Sequence, residues 1–259
     1  RKWFDGVDIV VHLAARVHQM NADPGNEASL QMTENCDATL KLAAMAAKCG
    51  VKQFIYLSTI KVNGEHTDGI APFSETDAPA PKDAYGLSKW EAEQGLNVLA
   101  SSSALVTTII RSPLVYGPNV KANFKALLSL SVKGLPLPLA SINNNRSIIS
   151  VDNLSSFLIH CCANKKAYNQ LFLAADNPPL STPALVRLMA SSQGKSVSLL
   201  PIPIVILTMV AGLVNRSAMM GRLVQSLELN CNKAEQLLGW QPPASTDNEF
   251  KRYSTKWMS

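Results

Sequence analysis

The sequence predicts an α/β protein with a parallel, doubly wound sheet, because apolar strand-like runs alternate with helical patterns. Residues 7–13 form a continuous apolar run rich in β-branched side chains, typical of a strand buried on both faces. Residues 28–49 carry apolar side chains at helical intervals, and a second strand-like run follows at 54–57. A helix is predicted over 84–99 and a third strand over 106–111. This alternation favours helices on both faces of one parallel sheet.

The second half of the chain has shorter elements and more turns. Turn-forming residues crowd at 116–119 and 134–138, and short strands are predicted at 147–149 and 171–174. The predicted short helices span 123–132, 151–163 and 182–192. We expect this smaller region to cover the carboxyl ends of the sheet, where open α/β sheets bind ligands.

Composition limits the class of partner. A chain of 259 residues, 47% of them hydrophobic, can bury a substantial core as one domain or slightly more. The net charge of +5, without blocks of Lys and Arg, suits a small anionic substrate and argues against nucleic acid. Five cysteines without metal-ligand spacing favour reduced thiols in a cytoplasmic protein, and no metal site is assigned.

The uncharged segment 197–214 is nearly long enough to span a bilayer. Pro201 and Pro203 interrupt its beginning, so the helix that follows has only about a dozen residues. A buried or interfacial helix is therefore predicted rather than a transmembrane span. A peripheral membrane contact stays open, because Arg216 and Arg222 follow directly.

The strongest chemical signal is the motif Tyr-Gly-Leu-Ser-Lys at 85–89, with Ser58 and Thr59 at a predicted strand end. A tyrosine and a lysine four residues apart lie on one face of a helix. We expect the Lys89 ammonium to lower the pKa of Tyr85 toward the range where the phenol exchanges protons at neutral pH. This equipment suits proton transfer on an alcohol whose carbon gains or loses a hydride. A solvated helix face is the competing interpretation.

Seven motifs follow one another in a definite order. They are Val-Val-His-Leu-Ala-Ala at 10–15, Asn35 in a predicted helix, Tyr-Leu-Ser-Thr-Ile-Lys-Val-Asn-Gly-Glu at 56–65, the motif at 85–89, Arg-Ser-Pro-Leu-Val-Tyr-Gly-Pro at 111–118, Arg-Ser at 146–147 with Val-Asp-Asn-Leu at 151–154, and Leu-Leu-Gly-Trp-Gln-Pro-Pro at 237–243. With them the chain resembles the extended short-chain dehydrogenase/reductase family, in its bacterial nucleotide-sugar epimerase and 4-ketoreductase branch.

The resemblance implies a Rossmann-like cofactor domain and a mixed α/β region that binds substrate. The cofactor domain takes residues 1–115 plus parts of 145–180, and the substrate-binding or lid region takes 116–145 and 175–259. NAD is the implied cofactor, with NADP as the alternative.

The glycine-rich turn that holds the cofactor pyrophosphate in this family has no counterpart before Val7. The first strand of the chain resembles the fourth strand of the family. We therefore expect an N-terminally truncated fragment, short of roughly two βα units of ~30 residues each. The sequence predicts that this chain alone does not bind the cofactor.

The resemblance also implies roles for individual residues. The catalytic set is Thr59, Tyr85 and Lys89: Tyr85 is the acid/base on the sugar oxygen, Lys89 lowers its pKa and binds the ribose, and Thr59 bonds the same oxygen. The implied cofactor-binding residues are His12, Leu13, Ala14, Ala15, Asn35, Leu57, Ser58, Tyr85, Lys89, Arg111, Pro113 and Leu114. The implied substrate-binding residues are Thr59, Asn123, Leu137, Pro138, Arg146 and Arg222, the two arginines gripping a diphosphate. Several of these roles have a plainer structural alternative. Residues 12–15 could simply end a strand, Ser58 could satisfy backbone groups, and Asn35 could lie on the surface. Arg111 could form a structural ion pair, Leu137 and Pro138 could pack in the core or in a turn, and Arg146 and Arg222 could be solvated surface charges.

The implied activity is hydride transfer at C4 of a UDP-hexose or UDP-N-acetylhexosamine in bacterial surface-polysaccharide synthesis. It is either 4-epimerisation, with hydride returned to the opposite face, or 4-keto reduction, with NAD(P)H consumed. A dehydrogenase acting on a non-nucleotide alcohol and an inactive binding or regulatory fragment are the alternatives. Family analogy further implies a homodimer through the helices at 28–49 and 84–99.

Overall fold

A computed structural model describes residues 2–17, 24–120, 122–213 and 216–257. The side chains of Lys2, Pro24, Ala122, Asn123, Ala218 and Lys256 lie outside the described part.

A four-stranded parallel sheet forms the centre of the fold. The described strands are β1 (Ile9–His12), β2 (Gln53–Thr59), β3 (Val106–Ser112), β4 (Leu114–Tyr116), β5 (Ile148–Ser150) and β6 (Gln170–Leu173). The central sheet has the order β1-β2-β3-β6, and each neighbouring pair is parallel. The carboxyl ends of these strands therefore meet at one edge of the sheet. Strands β4 and β5 form a separate parallel pair.

Helices cover both faces of the central sheet. The described helices are α1 (Pro24–Gln31), α2 (Ala38–Lys48), α3 (Ala84–Ser102), α4 (Ala122–Ser131), α5 (Val151–Ala163), α6 (Thr182–Ser192), α7 (Ile204–Leu213), α8 (Ser217–Val224), α9 (Asn232–Leu238) and α10 (Thr246–Tyr253). Because side chains alternate along a strand, Phe54 and Tyr56 of β2 pack with residues of α2 and α3, whereas Ile55 packs with Phe157 of α5 and Leu238 of α9. The predicted doubly wound α/β fold is confirmed.

Two local features differ from the sequence prediction. The helix predicted over 28–49 is interrupted by a π-helix at Met32–Asp37, which joins α1 to α2. Strand β1, predicted to be buried on both faces, is the outer strand of the described sheet, and Val11 is 39% exposed. The exposure arises because the described sheet has no neighbour on the outer side of β1.

The second half of the chain packs as helices around small apolar clusters. Helices α4, α6 and α10 share one cluster, which includes Phe124, Met189 and Phe250. Ile204 of α7 and Val224 of α8 lie against another. In the described part of the chain, no helix combines the length and apolar character needed to cross a bilayer. The division into a cofactor domain and a lid region stays a prediction.

Candidate active site

The first turn of α3 packs against the turn that follows β2, which places Tyr85 near the end of that strand. Asp83 caps α3 by accepting a hydrogen bond from the Gly86 amide (2.7 Å), and its carboxylate also pairs with Lys61. A Cβ on Gly86 would lie 3.0 Å from the Lys61 carbonyl oxygen, so glycine permits the close approach. Thr59 lies two residues before Lys61, at the end of β2, and Tyr85 lies two residues after Asp83.

Lys89 follows one turn later on α3 and is only 1% exposed. Its Nζ lies 4.1 Å from the centroid of the Tyr56 ring. Within the described ranges, the Lys89 ammonium has no hydrogen-bond or ion-pair partner. Burial lowers the pKa of Lys89 to about 7, although the nearby Glu93 carboxylate raises it. A buried amine without an oxygen partner is well suited to bind the hydroxyl groups of a ligand.

The pKa of Tyr85 is shifted in the direction opposite to the prediction. Burial, reinforced by the Asp83 carboxylate, raises the pKa of Tyr85 to about 12. The expectation that Lys89 lowers this pKa was wrong for the chain as it stands. Desolvation disfavours both the Tyr85 phenolate and the Lys89 ammonium. In addition, the Lys89 ammonium lies over the ring of Tyr56, where it contacts a different tyrosine.

Glu93, four residues beyond Lys89, organises a buried network that the sequence reasoning missed. Its carboxylate accepts hydrogen bonds from the Arg111 guanidinium (Nε–Oε1 3.1 Å, Nη2–Oε2 2.6 Å) and from the Ser58 hydroxyl. A third Arg111 nitrogen donates to Asn63 Oδ1 at 2.9 Å. The side chains of Glu93 and Arg111 are each 2% exposed. The Arg111 side chain therefore forms the structural ion pair that was the alternative to cofactor binding. The Ser58 hydroxyl donates to the Glu93 carboxylate and not to a backbone group.

Asn35 lies in the π-helix and is completely buried, so the surface interpretation was wrong. Its side-chain oxygen accepts from the Arg16 amide (2.7 Å), and its amide nitrogen donates to the Arg16 carbonyl and to Ser88 Oγ (3.0 Å each). Its backbone carbonyl accepts from the Tyr56 hydroxyl at 3.4 Å. Asn35 thus ties the loop after β1 to the helix that carries Tyr85.

The segment 12–15 forms the carboxyl end of β1 and the start of that loop. The His12 ring stacks on Tyr56 with centroids 6.0 Å apart, and its Nε2 lies 2.9 Å from Thr39 Oγ1. Burial, with a smaller effect of Lys89, lowers the pKa of His12. Leu13, Ala14 and Ala15 are all exposed, which leaves an open surface of small and apolar groups at the sheet edge.

The remaining residues predicted to border the cofactor lie at the ends of β2 and β3. Leu57 is partly buried against the α5 side of the sheet. Pro113 is buried, and Leu114 beside it is 51% exposed. Their contact with a cofactor stays a prediction.

The two arginines predicted to grip a diphosphate lie on neighbouring segments, since Arg146 bonds to Gln225, three residues beyond Arg222. Arg146 is partly buried, and its Nη1 donates to the Gln225 carbonyl at 2.8 Å. Burial, together with the positive charge of Arg222, lowers the pKa of Arg146, whereas Asp68 and Glu65 raise it. Arg222 lies in the last turn of α8 and is exposed. That the two guanidinium groups bind a diphosphate stays a prediction.

Hydrogen bonds join the segments beside the two arginines to the loop that follows β2. The Thr67 amide donates to the Ser226 carbonyl, and the Ser226 amide donates to Asp68 (2.8 Å each). The Ser147 amide donates to the Leu227 carbonyl, also at 2.8 Å. The segment after α8 is therefore held between the loop that follows β2 and the strand that follows Arg146.

Two predicted substrate residues, Leu137 and Pro138, lie at a turn that packs on the apolar cluster shared with Val224 of α8. Leu137 is buried in a cluster with Leu139 and Val186, which corresponds to the core-packing alternative. Pro138 is exposed beside it. Asn123 lies in the first turn of α4, and its side chain is outside the described residues.

A parallel sheet, a strand-end hydroxyl and a helix that carries a tyrosine–lysine pair define a short-chain dehydrogenase/reductase. The profile of the NAD dependent epimerase/dehydratase family matches residues 1–170. A UDP-glucose 4-epimerase of Vibrio cholerae is 42% identical over 251 residues, covering 96% of this chain and 76% of the relative. The chain therefore belongs to the NAD dependent epimerase/dehydratase family, and the enzyme class predicted from the sequence is confirmed.

More distant relatives agree with this assignment. An Escherichia coli O157:H7 protein, N-acetyl-alpha-D-glucosaminyl-diphospho-ditrans,octacis-undecaprenol 4-epimerase, is 29% identical over 76% of this chain and 58% of its own length. The structure of Bacillus cereus UDP-glucuronic acid 4-epimerase in complex with NAD has a TM-score of 0.76 at 19% identity, over 99% of this chain and 76% of that one. Thermotoga maritima UDP-glucose 4-epimerase with UDP-glucose has a TM-score of 0.73 at 23% identity, over 97% of this chain and 77% of that one. The two structures support the fold.

The described residues fit the nicotinamide and ribose end of NAD, the cofactor of the family. Ala14 and Ala15 leave the backbone open at the carboxyl edge of β1, where a ring could approach closely. The Lys89 ammonium is buried beside Tyr85 and lacks an oxygen partner among the described residues. Lys89 with Tyr85 would hold the ribose, and the segment 13–15 would border the nicotinamide.

Proposed function

We propose that this chain carries the catalytic residues of a nucleotide-sugar 4-epimerase. The observation that carries the proposal is the unpartnered Lys89 ammonium, buried one turn from Tyr85 on the helix that packs beside Thr59. The relatives named as 4-epimerases, at 42% and 29% identity, favour epimerisation over ketoreduction.

NAD, when bound, supplies the acceptor and then the donor of a hydride. Tyr85 takes the proton from the C4 hydroxyl as the hydride leaves C4, which gives a 4-ketone, and returns it when the hydride comes back to the opposite face. The Thr59 hydroxyl donates a hydrogen bond to the same substrate oxygen. Tyr85 accepts the C4 hydroxyl proton as a phenolate. The raised pKa of Tyr85 disfavours that form in the chain without cofactor, and with NAD bound a protonated Lys89 would stabilise it.

A substrate with a diphosphate accounts best for the two arginines. Burial and the positive charge of Arg222 both disfavour the charged form of Arg146, and a diphosphate would favour it through bidentate hydrogen bonds. An uncharged alcohol would offer the two guanidinium groups no anionic partner. This favours a UDP-hexose or UDP-N-acetylhexosamine over the non-nucleotide alcohol considered as an alternative.

The test follows product sugars from UDP-glucose and UDP-N-acetylglucosamine with NAD. It uses the chain alone and the chain preceded by the glycine-rich βα segment of the Vibrio cholerae relative. We expect NAD binding by calorimetry and turnover with that segment present, because a glycine-rich turn holds the cofactor pyrophosphate in this fold. Tyr85→Phe should then lose activity by roughly 10²–10⁴-fold. Turnover unaffected by Tyr85→Phe, or none with the segment present, would refute the proposal.

We further propose a cytoplasmic homodimer. The five cysteines are free, as expected in a reducing compartment. Met45 on α2 and Val98 on α3 are exposed apolar residues on the two helices implicated by analogy. Light scattering should give twice the chain mass, and Val98→Asp should shift it to the monomer; a monomeric wild type would contradict the dimer.

A further inference from the structure

Helix α7 is apolar on all sides, although only one side is packed. Ile204, Leu207 and Ala211, at helical spacing, face the protein, and the last two are buried. The outward side is formed by large apolar residues that are 50–87% exposed: Val205, Ile206, Met209, Val210 and Leu213. A helix that is apolar all round normally has an apolar partner on every side.

Several polar groups of this helix are paired within the chain. Thr208 is the one polar side chain in α7, and its hydroxyl donates to the Val205 carbonyl at 2.9 Å. The backbone amides of Ile206 and Leu207 donate to the Pro203 carbonyl. The Thr208 hydroxyl can therefore enter an apolar medium with its hydrogen bond made.

The segment of sequence that contains α7 carries only positive charge. Residues 177–227 contain no Asp or Glu, and they include four cations: Arg187, Lys195, Arg216 and Arg222. Helix α8 packs against α7, beginning directly after Arg216 and carrying Arg222 in its last turn. Within the described residues neither of these two arginines forms an ion pair. An apolar face bordered by uncompensated cations complements an anionic lipid surface.

The length of α7 determines how it would meet a bilayer. Ten residues at the helical rise give about 15 Å, half of the ~30 Å hydrocarbon core, so the helix would lie along the interface. A second copy of the chain would also cover the apolar side, but it would bring Arg216 and Arg222 toward another set of the same cations. The charge therefore favours lipid over self-association.

We propose that α7 docks the protein on an anionic membrane surface, inserting its outward apolar side among the acyl chains while Arg216 binds lipid phosphates. This docking does not depend on the proposed epimerase activity. Tyr85→Phe should bind vesicles as the wild type does, so failure of one proposal leaves the other open to test.

The experiment measures flotation of the purified chain with vesicles of phosphatidylglycerol and phosphatidylcholine, and with phosphatidylcholine alone. We expect binding to the anionic vesicles, weakened about tenfold or more by the double substitution Met209→Glu/Val210→Glu. Arg216→Gln should weaken binding by about fivefold. Ile159→Glu on α5, where the side chain is 69% exposed, is the matched control and should bind as wild type.

Circular dichroism and thermal melting should show that each variant keeps its fold, since every substituted side chain is exposed. Equal binding to both vesicle types, equal loss in the Ile159→Glu control, or no vesicle binding by the folded wild type would overturn the proposal. If the double substitution instead halves the mass in light scattering without any lipid effect, α7 is an interface between copies and the membrane proposal is wrong.

Discussion

Replacing Glu93 by glutamine should destabilise the protein far more than an ordinary loss of an ion pair. Glu93 and Arg111 are each 2% exposed, and three hydrogen bonds join them. Glutamine keeps the shape but leaves the Arg111 guanidinium buried without a counter-charge. It also removes the carboxylate that accepts from Ser58.

The size of the effect follows from this burial. Removing one partner of a buried pair costs about 3–5 kcal/mol, because the other charge remains desolvated. For a chain of this length, 3 kcal/mol corresponds to a fall in Tm of about 6–12 °C. Replacing both residues, as in Glu93→Leu/Arg111→Met, should recover most of the loss, since no unpaired charge is left.

Urea unfolding with unchanged m-value gives the free energy of unfolding for each variant. The matched control is Asp8→Asn, which breaks the Asp8–Lys52 pair, where both side chains are about two-thirds exposed or more. This control should unfold close to wild type because exposed pairs contribute little. A loss of less than about 1 kcal/mol for Glu93→Gln would refute the reasoning, because surface pairs already account for losses of that size.

Three further predictions concern the same site. Asn35→Ala should lower the free energy of unfolding in urea by about 2–3 kcal/mol, because buried hydrogen bonds to Arg16 and Ser88 are lost. An unchanged free energy of unfolding would show that Asn35 does not fix the loop after β1. The pKa of Lys89, about 7 when folded and ordinarily near 10.5, means that Lys89 binds more protons in the unfolded chain between those values, so its contribution to stability should rise with pH across that window. The thiols of Cys161 and Cys231 titrate in an overlapping range, so the measurement is the difference in pH-dependent melts between wild type and Lys89→Met. The wild type should gain stability relative to the variant as the pH rises, and parallel curves would contradict the pKa. In the active protein, Arg146→Ala should raise KM for the UDP-sugar at least about tenfold with a smaller change in kcat, and a pure loss of kcat would exclude diphosphate binding by Arg146.

Much of the fold followed from patterns that are local in sequence. The apolar runs at 54–57 and 106–111 predicted neighbouring buried strands, and these residues lie within β2 and β3. The spacing of Tyr85 and Lys89 placed both on one helix face, and α3 contains them as predicted.

The features that could not be predicted from the sequence depend on contacts between segments that are distant along the chain. The Glu93–Arg111 pair exists because α3 packs beside β3, and the signal available was only an acidic residue four positions after Lys89. The direction of the Tyr85 pKa shift depends on burial, which spacing alone does not reveal. Leu137 was open to two interpretations, because an apolar residue near a turn can pack in the core or line a binding site, and the sequence pattern is the same in both cases.

The most direct test of hydride transfer at C4 uses UDP-glucose labelled with deuterium at C4. The chain, joined to the glycine-rich segment of the Vibrio cholerae relative and supplied with NAD, is incubated with this substrate in ordinary water. Mass spectrometry and proton NMR then follow the C4 position of the product. We predict UDP-galactose that keeps its deuterium, because the hydride that leaves C4 is the one that returns. Product that has exchanged its deuterium for solvent hydrogen would contradict hydride transfer at C4.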